Sequence, residues 1–137
     1  MLANAIYLFA LAALSPWILY RRLRHGRYRR GWRQKLLGIS VDQAQNLIGQ
    51  YTTTRCIWLH AVSVGEVNLL AGVFDGLQRQ YPQTPIVVSS STDTGYDLAV
   101  KRFGANRVFF CPLDFSWAVR RTLRSLKPRI LVLAELE

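Results

Sequence analysis

Acidic residues are scarce in this 137-residue chain: eight Asp and Glu stand against eighteen Lys and Arg, a formal net charge of +10. Cysteine is nearly missing. Cys56 and Cys111 sit among apolar neighbours in two expected strands, which suits small core residues and offers neither a metal-ligand spacing nor a disulfide. Histidine is confined to His25, inside a basic stretch, and His60, inside an apolar run, so a core or charge role is expected for each rather than catalysis. No Walker motif, G-x-G-x-x-G, H-E-x-x-H or G-x-S-x-G occurs, which argues against an NTPase, a dinucleotide enzyme, a zincin or a serine hydrolase. Internal repeats and low-complexity segments are absent beyond the alternation of elements described next.

The basicity that is present is local. Arg21, Arg22, Arg24, Arg27, Arg29, Arg30, Arg33 and Lys35 fall in one stretch with no acidic residue among them, so the rest of the chain is nearly balanced. They follow Met1–Tyr20, whose polar interruptions are Asn4, Ser15 and the tyrosine hydroxyls, and whose length is close to the roughly 20 residues that cross a bilayer. An apolar run with a basic block after it has the order of an N-terminal membrane anchor, the reverse of a cleavable signal peptide. The positive-inside rule then keeps the block and all that follows on the cytoplasmic face. Pro16 leaves open a helix that dips into one leaflet, with Trp17, Tyr20 and Trp32 near the headgroups. Attraction to an anionic membrane surface needs only the cluster itself, and some of its arginines can also hold a phosphorylated lipid. Nucleic-acid binding needs a positive groove with stacking aromatics or a recognised module, so no nucleic-acid partner is expected.

From Arg55 onward the pattern alternates. Strands are expected at Cys56–Val62, Ile86–Ser90, Arg107–Cys111 and Ile130–Leu133, and helices at Val67–Gln80, Tyr96–Phe103 and Ser116–Leu126. Pro82 and Pro85 flank the second strand, Gly104-Ala-Asn106 ends a helix, Ser116 is a candidate N-cap, and Lys127-Pro128 stops the last helix. Strands alternating with helices imply an α/β fold: a Rossmann-like parallel sheet with helices on both faces. The division expected is an anchor over 1–20, a basic juxtamembrane helix near Tyr28–Leu37 with a polar, turn-like linker over 21–54, and an α/β domain over 55–137. The last strand runs into Ala134-Glu-Leu-Glu137 without the crossover that would extend the sheet, so a longer natural protein is expected.

Ligands of such sheets bind beyond the carboxyl ends of the strands, and three polar stretches lie there. The first holds Ser63, Gly65 and Glu66; Glu66 is a candidate base, or an acidic residue answering the positive end of a helix. The second, Ser89-Ser-Ser-Thr-Asp-Thr-Gly95, suits phosphate or sugar oxygens, or caps a helix. The third is Glu135 with Glu137, either crevice carboxylates or a solvated strand exit.

With these in order, the chain resembles the N-terminal half of the 3-deoxy-D-manno-octulosonic acid (Kdo) transferases. The marks are the anchor with its basic flank, Arg30-Gly-Trp-Arg-Gln-Lys-Leu-Leu-Gly38, His60-Ala-Val-Ser-Val-Gly-Glu66, Tyr81-Pro82, Ser91-Thr-Asp-Thr-Gly95, Pro112-Leu-Asp114, Lys127-Pro128 and the closing Glu-x-Glu. The resemblance implies the N-terminal half of a GT-B glycosyltransferase on the cytoplasmic face of a bacterial inner membrane, in lipopolysaccharide biosynthesis. This half would hold the lipid A precursor, and a C-terminal half the donor CMP-Kdo, with no metal and no further cofactor. It further implies Glu66 as general base, Glu135 in transition-state stabilisation, and Ser63, Gly65, Ser91, Thr92, Thr94 and Gly95 at the substrate. Ala134 and Leu136 depart from the Met and Thr that the family places around its first glutamate, and the second loop is richer in Ser. A catalytically inactive, membrane-tethered module for a phosphorylated lipid is the competing expectation.

Overall fold

The computed structural model describes residues 13, 30–49 and 55–134. The expected anchor (all of Met1–Tyr20 but Ala13), Arg21 to Arg29, residues 50–54, Glu135 and Glu137 lie outside the described residues. No helix among the described residues is long and apolar enough to cross a membrane. Among the described residues four strands, β1 (Ile57–Ala61), β2 (Ile86–Ser90), β3 (Val108–Phe110) and β4 (Ile130–Ala134), pair in the order β3-β2-β1-β4. All three pairings are parallel, with Ile57 opposite both Ile86 and Ile130. Among the described residues five α-helices accompany them: α1 (Trp32–Leu37), α2 (Val41–Ile48), α3 (Val64–Gln80), α4 (Asp93–Phe103) and α5 (Ser116–Leu126). The α/β, Rossmann-like parallel sheet expected from the sequence is therefore present.

Alternation along the strands sorts the core into two layers. Ile57, Leu59 and Ala61 of β1 point to one side and meet Val67, Leu70 and Phe74 of α3 and Ala99 and Phe103 of α4, with the Phe74 and Phe103 rings 4.6 Å apart. Trp58 points to the other side with Val87 and Phe109, where Ile39, Ala44 and Leu126 close over it. Burying each such large apolar side chain contributes about 1.5–3 kcal/mol. The strand expected at Cys56–Val62 is buried along four of the five residues of β1 and half-buried at His60, as the uninterrupted apolar run requires.

Three local expectations are corrected. The polar stretch after Gly38 contains helix α2: Ser40 caps it and Gln43 Oε1 accepts the Ser40 amide in return, while Ala44 is buried and Leu47 and Ile48 pack on the second layer. Helices α3 and α4 begin three residues earlier than expected, because Ser63 and Thr92 are their N-caps. At α5 the N-cap is Phe115, which has no side-chain oxygen to give, and Ser116 is the first helical residue. Lys127 does stop α5, taking a left-handed conformation (φ 47°) ahead of Pro128.

The segment from Gly31 to Ile48 is strapped to the sheet. Gln34 Oε1 accepts the Phe110 amide at 2.9 Å and the Lys35 carbonyl accepts the Leu113 amide at 2.8 Å. Beyond it, Thr122 Oγ1 accepts the Ile39 amide at 3.0 Å and Ser125 Oγ donates to the Ile39 carbonyl at 2.9 Å. Gly38 permits this crossing: at φ 72°, any Cβ would lie 2.2 Å from the Ala118 carbonyl oxygen of α5.

Candidate active site

At the carboxyl end of β1 the chain turns directly into α3. Ser63 Oγ accepts the Glu66 amide at 3.3 Å, and the Glu66 carboxylate reaches back so that its Oε2 accepts the Ser63 amide at 3.3 Å and the Val62 amide at 2.5 Å. This is a capping box, with a third amide drawn in. Glu66 is half-buried, and its other oxygen, Oε1, makes no hydrogen bond among the described residues. The carboxylate is thus held by one oxygen and leaves the second for a group arriving at the crevice. Val62, Val64 and Gly65 around it are exposed.

The second loop lies against the first. Thr92 caps α4, its Oγ1 accepting the Gly95 amide at 3.1 Å, and the same hydroxyl donates to the Val62 carbonyl at 2.8 Å. Gly95 is buried because it sits in that contact: a Cβ there would lie 2.4 Å from Ser90 Oγ and 2.9 Å from Thr92 Oγ1. Ser91 is half-buried and Thr94 exposed. Of the residues expected at the substrate, Ser63, Gly65, Thr92 and Gly95 are therefore brought together with Glu66 at the α3 and α4 N-termini, Thr94 faces solvent beside them, and Glu135 lies outside the described residues.

Two features under these loops escaped the sequence. Lys35, counted above with the basic block, is only 3% exposed; its Nζ lies 3.9 Å from the Asp93 carboxylate in the first turn of α4 and 4.5 Å from the centre of the Phe110 ring. Burial lowers its pKa, and the Asp93 charge opposes the shift. The signal for it was slight: Lys35 follows by four residues Gly31, whose missing side chain makes room for the Phe110 ring. On the same layer, Ser89 Oγ accepts the Trp58 indole N–H at 2.8 Å and lies 2.8 Å from His60 Nδ1. Burial lowers the His60 pKa below 6.5, against hydrogen bonding at Ser89 and the charge of Glu66. Burial also pushes the Cys56 and Cys111 thiols up to about 11, which keeps both unreactive at neutral pH. Among the described residues no group of His, Cys, Asp and Glu could hold a metal ion.

Comparison with known proteins assigns this arrangement to a family. The model of the 3-deoxy-D-manno-octulosonic-acid transferase (kdotransferase) family matches residues 26–137. The 3-deoxy-D-manno-octulosonic acid transferase of Chlamydophila psittaci is 33% identical over 98% of this chain, and that of Chlamydia muridarum 29% identical over the same share. A bifunctional glycosyltransferase/methyltransferase of Fusobacterium nucleatum is 38% identical over 59% of the chain and 13% of its own length. No solved structure matches. The chain spans about three tenths of the length of the two chlamydial relatives. Matched over most of its length, the chain belongs to the 3-deoxy-D-manno-octulosonic-acid transferase family.

Proposed function

We propose that this chain is the acceptor half of an inverting Kdo transferase in lipopolysaccharide biosynthesis, with Glu66 as its general base. The observation that carries the reading is the posture of Glu66 just past the carboxyl end of β1, with Oε2 fixed by two amides and Oε1 uncommitted. A hydroxyl of the lipid A precursor gives its proton to Oε1 as its oxygen attacks the anomeric carbon of the donor sugar; the bond from that carbon to the phosphate breaks, and CMP leaves. The base must be within hydrogen-bond reach of the hydroxyl, and such transfer contributes about 10²–10⁴-fold to a rate. In this reading CMP-Kdo is held mostly by a second, C-terminal half of a GT-B enzyme, and Glu135 stabilises the transition state. Met1–Tyr20 with the basic residues after it anchors the protein on the cytoplasmic face of the inner membrane, against anionic lipid.

Glu66→Gln tests the base directly. Glutamine keeps an oxygen for the Val62 and Ser63 amides and so keeps the cap, but it cannot take the proton. In a protein carrying both halves, transfer falls by at least about 100-fold with the melting temperature nearly unchanged. Retention of most of the activity would remove Glu66 from the base role and favour a module that only binds the lipid.

A further inference from the structure

The Val62–Ser63 peptide group is gripped at both ends. Its carbonyl oxygen accepts the Thr92 hydroxyl at 2.8 Å, and its N–H is one of the two amides on Glu66 Oε2. A peptide unit is rigid and planar, so fixing the carbonyl direction fixes the direction of the N–H on the far side. The Thr92 hydroxyl is itself oriented, because its oxygen accepts the Gly95 amide at 3.1 Å and its one proton is directed to Val62. Gly95 allows the approach, since any Cβ there would press on Thr92 Oγ1 and on the fully buried Ser90 Oγ. A chain of contacts thus runs from the α4 N-terminus through one peptide plane to the carboxylate.

We propose that Thr92 is a positioning residue for Glu66 and not a substrate ligand: it latches the second crevice loop to the first and sets the Val62–Ser63 peptide against which the carboxylate is held. The proposal rests on the reading of Glu66 as the base. Without the hydroxyl, the peptide can swing between neighbouring φ/ψ wells, the Ser63 amide leaves Oε2, and Oε1 loses its fixed place. Misplacing a catalytic group by about 1 Å costs on the order of 100-fold in rate. A ligand role for Thr92 would instead weaken acceptor binding.

Thr92→Val, close to isosteric, removes both hydrogen bonds, and Thr92→Ser restores both. In the transferase with both halves, Thr92→Val lowers kcat about 10- to 100-fold with the acceptor KM nearly unchanged, and Thr92→Ser recovers most of it. By NMR on the 137-residue chain, the Ser63 amide moves and loses protection from exchange in Thr92→Val and keeps both in Thr92→Ser. A rise in KM at constant kcat, or a Ser63 amide indifferent to Thr92→Val, overturns the latch. Should Thr92→Val not fold, the Thr92 hydroxyl proton of the unsubstituted chain decides: exchange with solvent as fast as that of an exposed hydroxyl overturns the latch, and slow exchange, as its bond to the Val62 carbonyl requires, upholds it. Glu66→Gln measured in parallel separates the two ideas. Transfer lost there with kcat intact in Thr92→Val overturns the latch alone, whereas transfer retained in Glu66→Gln overturns the base and the positioning role with it.

Discussion

His60 shows at the scale of one residue how burial and chemistry divide. It follows Leu59 in an apolar strand, and the sequence argued for a core histidine; the structure half-buries it and ties its Nδ1 to Ser89, which also serves the Trp58 indole. Its lowered pKa has a consequence for stability. The unfolded chain takes up a proton near 6.5 and the folded chain only at lower pH, so between the two values the unfolded state holds more protons. Stability from this group is complete above about pH 6.5 and is lost as pH falls below it. His60→Asn, which can still reach Ser89 but does not titrate there, flattens the dependence of the denaturant midpoint on pH below 6.5; an unchanged acid slope would assign that slope to other groups. What the sequence could not show is the Ser89 partner, 29 positions away on the neighbouring strand and placed there by register.

Among the elements, helix starts were the least legible and the most informative. Apolar spacing located α3 and α4 by their buried faces, but each begins at a cap whose signal is a side-chain oxygen three residues ahead of its partner amide. Helix α2 was missed for a related reason: it is short, its polar residues are as many as its apolar ones, and Ser40 with Gln43, not periodicity, marks its start. At α3 the cap and the candidate base are the same carboxylate, so structural and functional readings of Glu66 are both satisfied by one posture. They come apart on substitution. Ser63→Ala leaves the Glu66 amide without its acceptor and lowers stability by about 1 kcal/mol, whereas Glu66→Gln leaves it nearly unaltered; equal losses in the two variants, read from denaturant midpoints, would mean that the cap depends on the charge and not on the hydrogen bonds.

For the molecule as a whole, the parallel sheet and its two layers followed from the alternation of strands and helices, while the contribution of the residues before Arg55 did not. Those residues read as a basic juxtamembrane helix near Tyr28–Leu37 and a turn-like linker after Gly38, because Lys35 looks like its solvated neighbours and the stretch beyond Gly38 is rich in polar residues. In the fold, Ile39 and Ala44 are buried against Trp58, Val87 and Phe109, and hydrogen bonds from Gln34, Lys35 and Ile39 bind the segment across β3 and α5. At about 1.5–3 kcal/mol for each large apolar side chain uncovered, removing this strap costs a sum comparable with the 5–15 kcal/mol stability of an ordinary domain. A polypeptide of residues 55–137 is therefore expected to lose its cooperative thermal transition, and one of residues 30–137 to keep it. If 55–137 melts as sharply and at the same temperature, the second layer is dispensable and the segment around Lys35 serves the crevice alone. If it does not, the same side chains that place Lys35 beside Asp93 also hold the sheet whose strand ends carry Glu66.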